Sequence, residues 1–282
     1  MAPSSRSRGR HRHAALLAFI SLLAISMPSS AGASEIVRFK AGFSPDRLGV
    51  STTVHLQFNI SSTTSDIPSP VTNVKIDLPS GMGLGTTDLG EATCEPEALF
   101  TFGPLGCSPN SRMGIGNATV ALPLGPEPID LSAAVTLYMA VPQNQHTTLL
   151  LYAETKTPVY SQHVFPTELL PPSGNSYGAE LNTAMPLIPT VPEGGPAVIV
   201  HMETSLGPNH LTYYKRTHGK VVPYSPEGLA VPERCPRGGF PFRAIYKFND
   251  GSTVATTARV PCPPRAAVGT GRMTGHGRGR EM

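Results

Sequence analysis

Four residues in the last third of the chain, His201, Glu203, His210 and His218, come nearest to a reactive group by type and spacing. His201 and Glu203 are two apart and so share one face of an extended strand, while His210 and His218 follow in a polar stretch that carries Tyr213 and Tyr214. Imidazoles beside a carboxylate suit a metal ion or a sugar hydroxyl. The simpler reading is an outward strand face with its solvated loop. There is no His-Glu-x-x-His motif, and a hydrolytic triad would have to be assembled from distant residues. Gly81, Gly83 and Gly85 follow a strand-like run, but residues 86–90 start no helix whose amides could meet a phosphate; they read as loop glycines. No catalytic residue, cofactor or metal ligand is assigned on these grounds.

Cysteine offers a second chemistry. Cys94, Cys107, Cys235 and Cys262 are an even set, and three pairings into two disulfides are open. No Cys-x-x-Cys spacing supports zinc. Cys94–Cys107 and Cys235–Cys262 are favoured because each pair lies in one contiguous, turn-rich stretch that closes readily. The second pair has a geometric argument as well. Phe242 to Phe248 and Ser252 to Val260 flank Asn249-Asp250-Gly251, whose residues tolerate the positive φ of a tight hairpin. If Phe248 pairs with Ser252, Cys262 falls opposite Gly238, and a turn at Gly238-Gly239 would fold Cys235 back into disulfide reach.

Oxidised cysteines require a compartment, and the N-terminus names one. Arg6, Arg8, Arg10 and Arg12 precede an apolar run from Ala14 to Ile25, too short to span a bilayer as a helix, and then Ala31-Gly32-Ala33. This is the pattern of a signal peptide (residues 1–33) cleaved after Ala33, and it predicts a secreted, extracellular or cell-envelope-associated protein. Retention of the leader as a short anchor is the alternative. The whole-chain charge of +3 overstates basicity, because four arginines leave with the leader and four more (Arg265, Arg272, Arg278, Arg280) sit in a Gly/Arg tail, residues 265–282, expected to be disordered. The body between is mildly acidic, which disfavours nucleic acid as a partner. A cell-envelope polymer or a surface protein fits better.

The elements that must position these residues are strands. With 30 prolines and 28 glycines, long helices are disfavoured. Apolar residues recur with period two in Ser51–Ile60, Val71–Leu78, Met113–Leu122, Ala133–Val141, Thr147–Glu154 and Ala197–Glu203. In the first, Val50, Thr52, Val54, Leu56, Phe58 and Ile60 form the expected core face, and Ser51, Thr53, His55, Gln57 and Asn59 the wet one. Asn59 and Asn117 head glycosylation sequons that carry little weight. Thr93 to Phe100 reads as one helical turn capped by Thr93. The fold expected is all-β: an antiparallel β-sandwich of the immunoglobulin-like class over residues 34–264. It would be one elaborated domain, or packed halves 34–141 and 197–264 joined by a proline-rich region, 142–196, of edge strands and long loops.

The stretch Asp77-Leu-Pro-Ser-Gly81, Ala92-Thr-Cys94, Leu99-Phe100 and Gly106-Cys107 through Arg112-Met-Gly114 resembles a pattern in uncharacterised exported proteins of actinobacteria. In these a leucine-proline-x-glycine strand end leads to a cysteine, a short helical turn, a second cysteine and a polar turn feeding a strand. Val231 to Cys235, Gly239-Phe-Pro241 and Val260-Pro-Cys262 are similar to the C-terminal part of the same group. The resemblance implies local disulfide pairing and brings no activity or substrate. The function expected is therefore a non-catalytic exported module that acts by binding or structural packing. The alternative is a secreted hydrolase or sugar-active enzyme with a loop-borne site near His201–His218.

Overall fold

The computed structural model describes residues 35–82, 89–172, 174–191 and 194–263. The expected leader, the glycines at 83 and 85, and the Gly/Arg tail lie outside the described residues. The strands are β1 (Glu35–Ser44), β2 (Ser51–Ser62), β3 (Val71–Pro79), β4 (Arg112–Leu122), β5 (Ile129–Met139), β6 (Thr147–Thr155) and β7 (Ser161–Leu170). They continue as β8 (Tyr177–Ala184), β9 (Val198–Leu206), β10 (Tyr213–Thr217), β11 (Lys220–Tyr224), β12 (Leu229–Ala230), β13 (Phe240–Phe248) and β14 (Thr253–Val260). All but β10 and β11 join one sheet in the order β1-β2-β9-β4-β5-β6-β7-β8-β3-β13-β14, with β12 beside β2. Every strand-to-strand ladder in it is antiparallel.

The all-β antiparallel class read from the sequence is present, laid out as one sheet nearly closed on itself, because edge strand β14 lies against edge strand β1. Curling a sheet this far requires sharp local bends. Gly114 and Gly116 supply one: a Cβ at either would stand 2.1 or 2.2 Å from a β9 carbonyl oxygen, so only glycine allows β4 and β9 to approach there. The interior is filled by one parity of each strand. Phe43 meets Phe240 and Phe242 at ring-centroid distances of 5.4 and 5.8 Å, and Phe58 meets Tyr246 edge-on at 5.2 Å. Burying each such ring contributes about 1.5–3 kcal/mol. The parity read for β2 holds for Val54, Leu56, Phe58 and Ile60, with two exceptions. Val50 precedes the strand and is exposed, and Thr53 is buried because its Oγ1 accepts the Asn209 amide from the loop after β9.

The proline-rich region is not a set of edges. β6 and β7 pair on both sides, as does β8, which places them mid-sheet. Pro166 is accommodated because it lies one residue outside the β7–β8 ladder, which begins at Thr167. Strands from both ends of the chain interleave: β9 separates β2 from β4, and β3 separates β8 from β13.

On the outer surface, a short helix α1 (Pro96–Phe102) covers β5 and β6. Tyr138, Leu150 and Tyr152 face outward there, and with Leu99, Ala140 and Cys94 they form a second small core. Glu95 is the N-cap, without a side-chain bond, so Thr93 does not cap this helix as its sequence suggested; Pro96 at N1 starts it instead. The Cys94–Cys107 disulfide closes the loop that holds α1 (Cα–Cα 5.2 Å), and the Cys94 amide donates to the Met139 carbonyl at 2.8 Å. From β7, Gln162 donates to the Phe100 carbonyl at 2.6 Å. The second disulfide, Cys235–Cys262 (Cα–Cα 5.7 Å), also matches the expected local pairing. Its register argument holds: the Phe248 amide donates to the Ser252 carbonyl, Phe240 pairs with Val260, and Gly238 and Gly239 take φ of 86° and 89° in the turn that brings Cys235 back.

Candidate functional site

His201 and Glu203 do share the outward face of β9, but each is engaged by its sheet neighbours. His201 Nδ1 donates to Asn59 Oδ1 at 2.8 Å, since an amide oxygen can only accept, and Asn117 Nδ2 donates to Glu203 Oε1 at 3.3 Å. Glu203 lines a shallow polar groove with His55, Gln57 and Asn117, where His55 Nδ1 lies 2.9 Å from Ser205 Oγ. His210 stands in the loop after β9 and His218 at the β10–β11 turn, both with positive φ and both exposed. Among the described residues no three His, Cys, Asp or Glu side chains gather as a metal site.

The recessed site lies elsewhere, inside one end of the sheet, and the strand register explains why it is hollow. Met202, Ala118, Ala133, Thr155 and Ser161 sit opposite one another across β9, β4, β5, β6 and β7, and the next row holds Gly116, Val135, Ala153 and His163. One row deeper come Leu137, Leu151 and Phe165. Ala118, Ala133 and Ala153 therefore lie between a row that carries Val120 and Leu131 and one that carries Leu137, Leu151 and Phe165, and their short side chains leave the space between unfilled. The result is a cavity of about 140 Å³. The connection between β8 and β9 folds over it with Met185, Pro186, Leu187, Ile188 and Pro189, and Val159 of the β6–β7 turn completes the rim.

The polar groups on this wall are nearly all spoken for. Thr155 Oγ1 donates to the Val159 carbonyl at 2.7 Å, so its 3.0 Å contact with Ser161 must be donated by the serine hydroxyl. Thr190 Oγ1 donates to the Gly195 carbonyl at 2.8 Å. The exception is His163, whose ring makes no hydrogen bond among the described residues and stacks on Phe165 at 6.1 Å. Burial pushes its imidazole below the usual 6.5, so near neutrality it is uncharged, able to donate from one nitrogen and accept at the other. The site is an apolar chamber with one free polar edge.

Comparison with known proteins finds no matching family model, no similar curated protein and no similar solved structure. The cavity was not legible as a motif, because its lining comes from two or three positions on each of five strands and from Val71 on β3, and becomes a site only through register. Its one sequence signal is the run of alanines at inward positions, Ala118, Ala133 and Ala153, where the neighbouring rungs carry Leu and Val.

Proposed function

We propose that this protein is an exported, non-catalytic module that binds a small apolar ligand in the chamber at one end of its sheet. The observation that carries the reading is a cavity of about 140 Å³ lined almost wholly by apolar groups. That size matches the roughly 150 Å³ apolar voids that stay dry and take up benzene or xenon, and it is well below the about 300 Å³ at which pockets begin to hold drug-sized molecules. The ligand class is accordingly a single ring or the end of an alkyl chain, with one hydroxyl or carbonyl placed at His163.

Export is supported by the leader pattern at residues 1–33 and by two disulfides, which form and persist in oxidising compartments. Among the described residues no helix is long and apolar enough to cross a membrane.

Calorimetric titration with toluene and with 1-hexanol tests the reading. Saturable binding that is lost in Ala133→Phe, whose ring fills the chamber, is the expected result; equal binding by the two proteins would refute it.

A further inference from the structure

At the other end of β3 the surface has the opposite character. Pro70 and Val71 border the apolar chamber, whereas Pro79 and Ser80 border an outward cleft of about 520 Å³. Its charged lining is Arg234, Arg237 and Arg259, with Ser176, Tyr177 and Ser80 beside them and no Asp or Glu. Among the described residues none of the three arginines forms an ion pair, although this body is mildly acidic overall.

The covalent structure holds these charges together. Arg234 precedes Cys235 and Arg237 follows it by two, while Arg259 lies three residues before Cys262, so the Cys235–Cys262 bond ties both arginine-bearing segments to one point. An Arg259 guanidinium nitrogen lies 3.5 Å from the position a Cβ would take on Gly238, over the turn that carries Arg237. Asp77, linked to Tyr177 of the cleft through Arg243, is already engaged: it accepts from Arg243 Nε at 2.6 Å, and that guanidinium lies 5.1 Å from the Tyr177 ring centroid, while Glu233, which precedes Arg234, does not line the cleft. Three like charges in one concave site repel one another unless an anion enters.

We infer that the Arg234–Arg237–Arg259 cleft is an oxyanion site that takes a phosphoryl group. Guanidinium forks match tetrahedral oxyanions through paired hydrogen bonds. Three of them suit a dianion or diphosphate better than a carboxylate, which offers one charge and two oxygens. The serine hydroxyls and the tyrosine phenol add neutral donors at the same rim. This site is separate from the apolar chamber and does not depend on it.

The test is calorimetric titration of the intact, oxidised protein at low ionic strength with inorganic phosphate, pyrophosphate and glycerol 3-phosphate, and with acetate as the monoanion control. Binding of at least one phosphoryl compound at least tenfold tighter than acetate is expected. Arg237→Gln combined with Arg259→Gln is expected to weaken it at least tenfold, while Arg216→Gln on β10 leaves it unchanged. Tighter binding of glycerol 3-phosphate than of inorganic phosphate would assign the site to an esterified phosphate, and the reverse order to the free ion. Both variants alter exposed side chains, and their melting temperatures report whether folding is intact. The inference is overturned if wild type binds no phosphoryl compound better than acetate, or if the folded double variant binds as tightly as wild type.

Discussion

The two ends of this sheet share strand β3 and differ in which face they use. At the chamber end the inward parity of β4 to β7 carries small residues, and the hollow they leave is apolar with its hydroxyls internally bonded. At the cleft end the outward parity of β14 and the loop around Cys235 gather three guanidinium groups in an open depression. Strand alternation thus separates an oily interior from a charged exterior along β3, without any helix or separate domain to divide them. The chamber is maintained by omission, a row of methyl-sized side chains, and the cleft by a covalent staple. They should therefore fail under different perturbations.

The largest effect is expected at the staple. Replacing both Cys235 and Cys262 by Ser releases a loop with a sequence separation of 27, and loop-entropy arguments put the destabilisation at about 3–4 kcal/mol. Urea denaturation should show it, and the same variant should lose phosphoryl binding while still binding toluene in the absence of denaturant. Loss of both ligands by a folded variant would show that the two sites are not independent. Next comes Leu99→Ala, which empties the small outer core under α1; Leu99 is fully buried, so the loss should be about 2–5 kcal/mol in the same assay. Neither site should change its affinity, because α1 borders neither the chamber nor the cleft.

A smaller effect of opposite sign is expected at Tyr246, between the two ends. Its side chain is fully buried and its hydroxyl has no hydrogen-bond partner among the described residues. Burial alone drives its pKa strongly upward. Tyr246→Phe removes the stranded hydroxyl and keeps the ring on Phe58, so the midpoint of denaturation should rise by the equivalent of about 1 kcal/mol.

The smallest effect concerns pH and arises in the chamber. Burial holds His163 below its usual 6.5, so the folded protein takes up that proton less readily than the unfolded chain. This contribution is therefore intact above about pH 6.5, declines as the pH falls through the depressed folded value, and is level below it. His163→Gln should flatten that part of the stability profile, and a profile unchanged by the substitution would show that the ring is not set by the chamber.

Much of the fold could be read in the chain. Period two placed β2, β4 and β6, the Asn249-Asp250-Gly251 turn placed the β13–β14 hairpin, and the hairpin register together with a turn at Gly238-Gly239 put Cys262 within reach of Cys235. Signals that depend on neighbours could not be read. The hairpin of β10 and β11 is largely exposed on both faces and so has no alternation to detect, and β12 is two residues long. β7 looked like an edge because of Pro166, whose tolerance depends on where β8 stops. The sites followed the same division. His201 and Glu203 were correctly placed on one face, yet what they touch, Asn59 and Asn117, lies on other strands. The arginines were visible beside Cys235 and Cys262, but their convergence needed the staple and the turn at Gly238 together.

The alanine methyl resonances of the protein report on the chamber directly. During titration with toluene, Ala118, Ala133 and Ala153 should shift together and saturate at one equivalent, while exposed Ala255 on β14 stays fixed. Shifts that never saturate, or that appear on Ala255 as strongly as on the three lining alanines, would contradict a binding chamber at this end of the sheet.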